Sequence, residues 1–330
     1  DENGQVSKDN WEFKESQEKG KRFILMRRFK EEINSAWIES YFSDVDVEKL
    51  TDGEYNMITL YRKEIYLTHY DIEAHKSKRG AKIGYAVALS TEQNYAGGSY
   101  LDVSDIIFEE FMERGTYIPH EPDRLMIFYS TIDRKRGTTR VWLVGNTISR
   151  VCPYIEDWDL HQIISTQKQG TIKVVERDSG EDDVVKIAIE YCESTGTSSH
   201  TIGNHAAMLN DGSWQTDPQP HLPKSYNEYE VRYRIMFSFK NFKFVGEYLT
   251  DGENNVWYIY PYDGEIKDNI IVITDEIKPS RYYQRDIYNV TIDNPVLHMI
   301  LNTFRESNIF YATDLCGTDF KQAIDFVIKR

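Results

Sequence analysis

No stretch of this 330-residue sequence comes near the roughly 20 consecutive apolar residues needed to cross a bilayer, so nothing points to a helical membrane anchor. Cysteine is scarce. Cys152, Cys192 and Cys316 stand far apart, are odd in number and form no CxxC pair. That speaks against a zinc ribbon or a disulfide framework and fits a reducing cytoplasm. The opening DENGQVSKDNWEF lacks the basic-then-apolar order of a signal peptide. It also lacks an initiator Met, so the expectation is a chain that begins partway through a longer gene product. Positive charge is in short supply: 39 Lys and Arg face 54 Asp and Glu, for a formal charge of −15. A general nucleic-acid coat, whose affinity rests on counterion release, is thereby disfavoured; a protein that grips nucleic acid through a few loops is not.

What is plentiful is aromatic side chain. Aromatics make up 13% of the residues and tyrosine alone contributes 23, which favours strand-rich segments and aromatic contact surfaces in a globular chain. The length suits one large domain or two ordinary ones. The cations cluster in two places, at Lys76, Lys78 and Arg79 and at Arg134, Lys135, Arg136 and Arg140, and either group reads equally as a solvated turn.

Residues 11–22 read as the tail of a helix running into a strand at Phe23–Met26. Further strands are expected near Glu64–Thr68 and Ile83–Leu89, separated by a basic turn over His75–Gly80, and at Val103–Phe108. Leu125, Phe128, Tyr129 and Ile132 fall at helical spacing and predict a helix over Asp123–Arg136. Val141–Val144 is a continuous apolar run of the kind found in buried parallel strands. This alternation predicts an open α/β sheet, whose ligands sit at the carboxyl ends of its strands. From Thr195 to Ser225 the composition turns to Ser, Thr, Gly, Asn, His and Pro and reads as a linker or lid. Beyond it Val231, Tyr233, Ile235, Phe237 and Phe239 alternate with Arg232, Arg234, Met236 and Ser238, and Phe242–Leu249 and Val256–Tyr262 flank the turn residues Asp251–Asn255. The second half is expected to be an antiparallel meander followed by helices at Pro295–Glu306 and Phe320–Ile328, the latter capped by Thr318.

The most informative stretch is Asp105-Ile106-Ile107-Phe108-Glu109-Glu110. An apolar strand ending in two adjacent carboxylates matches the Walker B pattern of P-loop ATPases, although acidic pairs also begin solvated loops. Because successive strand side chains leave on opposite sides, one acid is expected to hold Mg²⁺ and the other to orient or deprotonate the attacking water. Val141–Gly145 ends in Asn146, an amide suited to sensing a γ-phosphate, or a plain turn former. Asp133-Arg134-Lys135-Arg136 lies between the two strands, and arginine suits a phosphoryl-transfer transition state.

Taken in order, FILMRRFKEEI, YAVALS, DVSDIIFEEF, YIPHEP, DRKR and VWLVGNTISRVCPY resemble the DNA-encapsidation ATPases, the terminase-like packaging motors of small podophages, over roughly residues 20–155. YRIMFSFKNFKFVGEY through ILNTFRESNIF is similar, more weakly, to the nuclease-like tail of those proteins. The resemblance implies a P-loop-NTPase-like α/β domain over 1–190, a linker or lid over 191–227 and an RNase H-like α+β domain over 228–330. It places the Mg²⁺-associated acid at Glu109, the catalytic glutamate at Glu110, a trans-acting arginine finger at Arg134 with Arg136 and Arg140 beside it, and the coupling residue at Asn146. Arg27 and Arg28 match a basic pair, which equally reads as a solvated strand end.

The implied protein is an ATP- and Mg²⁺-dependent motor. It works as a homo-oligomeric ring on the portal (connector) of a procapsid and moves double-stranded DNA. It acts in the host cytoplasm, transiently on the procapsid, with no membrane partner. Two other readings are a non-enzymatic nucleic-acid- or portal-binding module and a cutting terminase nuclease. For the nuclease, the opening strand offers Ser238, Lys240 and Asn241 where a metal-binding acid is needed, and Glu247, Asp251, Asp263, Asp275 and Asp314 read as scattered, solvated acids, so the tail is expected to be vestigial.

One departure stands out. The string GxxxxGK[ST] occurs nowhere; Gly20-Lys21 is followed by Arg22 and has Glu15 where the first glycine belongs. Without that backbone cradle the 330 residues are expected neither to bind nor to hydrolyse ATP. Titration of a fluorescent ATP analogue tests this: Mg²⁺-dependent saturation in the micromolar range would mean that another segment replaces the loop.

Overall fold

The computed structural model describes residues 21–95, 97–113, 117–178, 184–193, 212–267, 270–281, 283–287 and 302–328. The chain is of mixed α/β type and divides into two compact units, Asp1–Asn146 and Thr147–Arg330. The helix tail expected over 11–22 lies, up to residue 20, outside the described residues.

The first unit contains β1 (Arg22–Arg27), β2 (Met57–Tyr61), β3 (Glu64–Asp71), β4 (Lys76–Ala88), β5 (Val103–Glu109) and β6 (Arg140–Val144). They form one sheet in the order β2-β3-β4-β1-β5-β6, with β4, β1, β5 and β6 parallel and β2 and β3 antiparallel additions. Strand alternation sorts β1 into two apolar sets. Phe23 and Leu25 join Ile107, Ile58 and Ile65 in a core that also takes Ile38 and Phe42 from the helix α1 (Ser35–Tyr41) and its C-cap. Ile24 and Met26, with Ile106 and Phe108, are fully buried on the other face. The helix α3 (Glu121–Asp133) packs there through Leu125, Phe128 and Ile132, after the short α2 (Val47–Leu50).

Two expectations change. β6 pairs with β5 as predicted, but none of its residues is buried and Trp142 is 44% exposed. An apolar run alone cannot tell a central parallel strand from one at the sheet margin. The basic stretch Lys76–Gly80 is not a turn. The reversal occurs over Ile72–His75, closed by Asp71 accepting from the Ala74 N–H at 2.9 Å, and β4 starts at once, laddered to β3 through Asp71–Lys76, His69–Lys78 and Thr68–Arg79. Gly80 permits this, since a Cβ there would collide with the Tyr55 ring.

The second unit carries the hairpin β7 (Thr171–Asp178) and β8 (Val184–Tyr191), and the strands β9 (Glu230–Phe239), β10 (Phe242–Thr250), β11 (Asn255–Pro261), β12 (Ile271–Thr274), β13 (Tyr283–Asp286) and β14 (Asn308–Tyr311). The larger sheet runs β13-β12-β9-β10-β11-β14. The predicted alternation of β9 holds: Ile235, Phe237 and Phe239 enter one core with Phe244, Trp257 and Phe320, the last from the helix α6 (Asp314–Ile328). The sheet is not a simple meander, because β12 and β13 run parallel to β9, and β14 runs parallel to β11. α6 begins at Asp314, so Thr318 is an interior residue that donates to the Asp314 carbonyl at 2.8 Å; the Cys316 N–H is taken by Thr313 Oγ1 instead.

The division falls at 146/147 rather than near 190. Val151 is part of the second core, Arg150 pairs with buried Asp319, and Ser149 hydrogen-bonds Gln322 at 2.7 Å, which commits the segment after β6 to α6. The described part of the expected linker is likewise bonded rather than free: Asp217 N–H donates to Thr318, and Gln219 N–H to Asp314. Residues 194–211 lie outside the described set.

The short helices α4 (Pro153–Asp157) and α5 (His161–Thr166) follow. Glu156 of α4 is 9% exposed, and its carboxylate oxygens have no hydrogen-bond partner. Burial pushes its pKa up to about 7, against the pull of the Lys240 charge. Glu156 therefore binds its proton more tightly folded than unfolded. Its contribution is complete below about pH 4.5 and is lost as pH rises through about 7. Glu156→Gln should remove a loss of roughly 3 kcal/mol between those limits. Urea denaturation of both proteins near pH 5 and near pH 8 measures this; equal pH dependence would mean that Glu156 ionises freely.

Candidate functional site

The carboxyl ends of β1 and β5 meet at Arg27 and Glu109, which face each other across the ladder that pairs Met26 with Phe108. Arg27 donates to Glu109 at 3.3 Å, to Glu110 at 2.6 Å and to Glu32 at 3.2 Å, and Glu109 also accepts from the Trp37 indole at 3.0 Å. The Arg27 guanidinium lies 5.7 Å from the Trp37 ring centroid. Burial opposes its charge, but Glu110, Glu32 and Glu109 outweigh burial and hold its pKa above the ordinary arginine value.

The two acids do not leave on opposite sides. β5 ends at Glu109, and Glu110 sits in the left-handed region at φ 54°, which swings its carboxylate to the guanidinium that Glu109 also reaches. A non-glycine residue held there costs of order 1–3 kcal/mol. The pair is thus one cluster of three carboxylates around one cation.

Arg28 points the other way and is 3% exposed, so the reading of Arg27-Arg28 as a solvated strand end does not hold. It forms a two-pronged bond to Glu121, at 2.8 and 3.0 Å, and donates to the Phe111 carbonyl at 2.7 Å. Its guanidinium lies 4.8 Å from the Tyr117 ring centroid. Glu121, 0% exposed, also accepts from the Ile118 N–H at 2.8 Å. One buried ion pair therefore fixes the end of β1, the loop after Glu110 and the first turn of α3. The sequence signal was present as two arginines at a strand end, but the partner Glu121 lies 93 positions away and nothing local announces it.

Asn146 stands exposed just past β6, two residues beyond the Val144 that pairs with Glu109. Arg134 is not with them. α3 ends at Asp133, and Arg134 caps it at φ 50°. Asp133 bonds the N–H groups of Gly137, Thr138 and Thr139, so the chain turns straight into β6. Arg134 donates to the Gly98 carbonyl, and Arg136 to the carbonyls of Tyr100 and Leu101, which precede β5. Both thus sit at the amino edge of the sheet, one helix length (about 20 Å) from the acids. Arg140 is tied to buried Asp105 at 2.9 Å. Lys30, Arg62 and Lys63, which sequence reasoning passed over, line a cleft of about 400 Å³ with Ala88 at the carboxyl end of β4.

In the second unit three acids expected to be solvated are paired, and one of them, Glu247, is buried. Glu247 is 1% exposed and bonds Arg234, Tyr226 and Tyr260; Asp251 pairs with Lys224 at 2.6 Å; Asp275 holds both the amide of Lys240 (3.2 Å) and its ammonium (3.4 Å). Among the described residues no three His, Cys, Asp or Glu side chains are grouped to hold a metal ion. No described helix is long and apolar enough to cross a membrane.

These features define a two-unit α/β protein with a carboxylate cluster at the tips of its parallel strands. Residues 10–289 match the family model described as Podovirus DNA encapsidation protein (Gp16), and the chain belongs to that family. It is similar to the DNA packaging proteins of Bacillus phages PZA and phi29, at 30% identity over 138 residues in each case, 41% of this chain. The match spans only 36% of the length of those relatives. A solved structure of the bacteriophage phi29 genome packaging motor assembly aligns with a TM-score of 0.49 at 18% identity, covering 94% of this chain and 88% of that one.

Removing Arg28 alone strands a buried carboxylate. Arg28→Met should destabilise the first unit by roughly 3–5 kcal/mol, and Arg28→Met with Glu121→Leu should recover most of it. Urea midpoints decide: a double variant no better than the single one would show that Arg28 acts through its carbonyl and ring contacts instead.

Proposed function

We propose that this chain is part of a viral genome-packaging motor that couples ATP hydrolysis to the movement of double-stranded DNA into a procapsid. The observation that carries the reading is the Glu109–Glu110 pair at the tip of a buried parallel strand, in a chain matched to the encapsidation family over residues 10–289. The first unit is read as a P-loop-NTPase-like domain, with homo-oligomeric ring assembly on the portal, in the host cytoplasm.

Glu109 would hold Mg²⁺, a hard cation suited to carboxylate oxygen, which when bound neutralises charge on the phosphates. Glu110 orients the attacking water and accepts its proton. Arg27 holds both acids together, so engaging a cation requires their bonds to this guanidinium to be shared or released. Arg134 acts on a neighbouring subunit's phosphates; its place at the sheet's amino edge supports a role in trans, since it cannot reach the acids of its own unit. Asn146, beside Glu109 at the strand tips, reads the γ-phosphate. The string GxxxxGK[ST] is absent, so these 330 residues carry the hydrolytic acids but not that phosphate cradle.

The second unit is read as an RNase H-like domain without nuclease activity. The antiparallel run β9-β10-β11, with β12 and β13 parallel to β9, supports the fold. Lys240, paired with Asp275, supports the loss of cutting, because it puts a cation where the opening strand would need a metal-binding acid.

In a version that carries a phosphate-binding loop, Glu110→Gln should abolish turnover and retain ATP binding, whereas Glu109→Ala should weaken Mg²⁺-ATP binding. Arg134→Ala should lower the rate by roughly 10³–10⁵, and mixing it with Glu110→Gln subunits should restore activity at interfaces that regain both groups. ATPase assays of the mixtures decide; a mixture no faster than either variant makes Arg134 a plain helix cap.

A further inference from the structure

The cations Lys76, Lys78 and Arg79 take no part in the site described above. They lie on a two-stranded ribbon formed where β3 and β4 run on beyond the rest of the sheet. β1 begins to pair with β4 only at Gly84, and β2 leaves β3 at Thr68, with Asn56 bracketing the backbone of Tyr70 at 2.8 and 2.9 Å. From Lys76 to Gly84 the ribbon reaches about 25 Å past the start of β1, but β2 and Asn56 run beside it as far as Tyr70, opposite Ser77, so only its last rungs and its turn stand clear of the sheet.

Lys76 and Lys78 stand on one face of this ribbon, the latter opposite His69, and every residue from His69 to Ala81 is exposed. Neither lysine makes an ion pair among the described residues. Asp71, opposite Lys76, is used to close the turn. Arg79 is on the other face, 3.6 Å from the centroid of Tyr61, and that stacking fixes the base of the ribbon. A chain of net charge −15 repels polyanions as a whole. Charge on the body is screened over about 8–10 Å at ordinary ionic strength, so a phosphate at the ribbon meets chiefly the local groups, where Lys76, Lys78 and Arg79 outnumber Asp71 and Glu73. A two-stranded ribbon also has the width that the major groove of B-form DNA admits.

We infer that the β3–β4 ribbon is a contact for duplex DNA, with Lys76 and Lys78 on backbone phosphates and the ribbon lying along the groove. The contact carries no base readout, since ammonium groups on phosphates position a protein without reading sequence. It rests on the DNA-moving reading above and adds where this chain meets the duplex.

The test is fluorescence anisotropy of a short labelled B-form duplex titrated with the 330-residue chain between about 50 and 200 mM salt. The comparisons are Lys76→Ala with Lys78→Ala, and as a control Lys168→Ala with Lys173→Ala in the other unit. The ribbon variant should bind at least about tenfold more weakly, and its plot of log affinity against log salt should flatten by about 2. The control should match the parent, and the urea midpoint of the ribbon variant should be unchanged. Parent-like affinity and slope in the ribbon variant would overturn the ribbon contact and leave the packaging reading standing. Failure of the parent to bind duplex DNA at the lowest salt would overturn both. A preference for duplex RNA over DNA of the same sequence would replace the inferred partner.

Discussion

The first unit depends on a single buried ion pair. Two charges taken out of water gain stability only when geometry and further hydrogen bonds repay the desolvation. Arg28 and Glu121 meet that condition: a two-pronged contact, with Phe111 and Ile118 backbone groups and the Tyr117 face taking up what remains. Because its members come from β1, the loop beyond β5 and the start of α3, the pair sets the relation among these elements at the edge where the acids stand. Arg27, one residue earlier, is sent by strand alternation to the opposite face. A dipeptide is thereby split between a structural lock and a clamp on carboxylates.

The same economy recurs. Asp105 with Arg140, Asp319 with Arg150, Glu247 with Arg234, Asp251 with Lys224 and Asp275 with Lys240 each bring one largely buried acid against one cation. The excess of negative charge is therefore a property of the surface. It repels an anionic partner everywhere except where cations project, which makes position more decisive than number.

Much of the architecture was legible because periodicity reports burial directly. The alternation of Val231 to Phe239, the turn chemistry of Asp251–Asn255 and the apolar run before Glu109 each led to the right element. What failed was whatever depends on distant partners. An apolar run such as Val141–Val144 does not say whether a strand lies on one side or both. Lys76–Gly80 looked like a turn because its charge was visible and its ladder to β3 was not. The parting of the units at Asn146 rests on Val151, Arg150 and Ser149 meeting α6, some 170 residues away in sequence. The positions of Glu109, Glu110 and Asn146 at strand tips were legible from their order along the chain. The left-handed turn at Glu110 was not, since φ at a non-glycine residue is decided by the bond its side chain finds.

β6 has a further consequence. Among the described residues it has a ladder partner on one side only, so its other side offers a row of N–H and C=O groups to any strand that can lie alongside. Asp105 of the neighbouring β5 accepts from both Arg140 and the Trp142 indole at 2.9 Å. Sheet edges elsewhere are commonly blunted by lysines, prolines or bulges, and the five residues of β6 include no proline and no lysine.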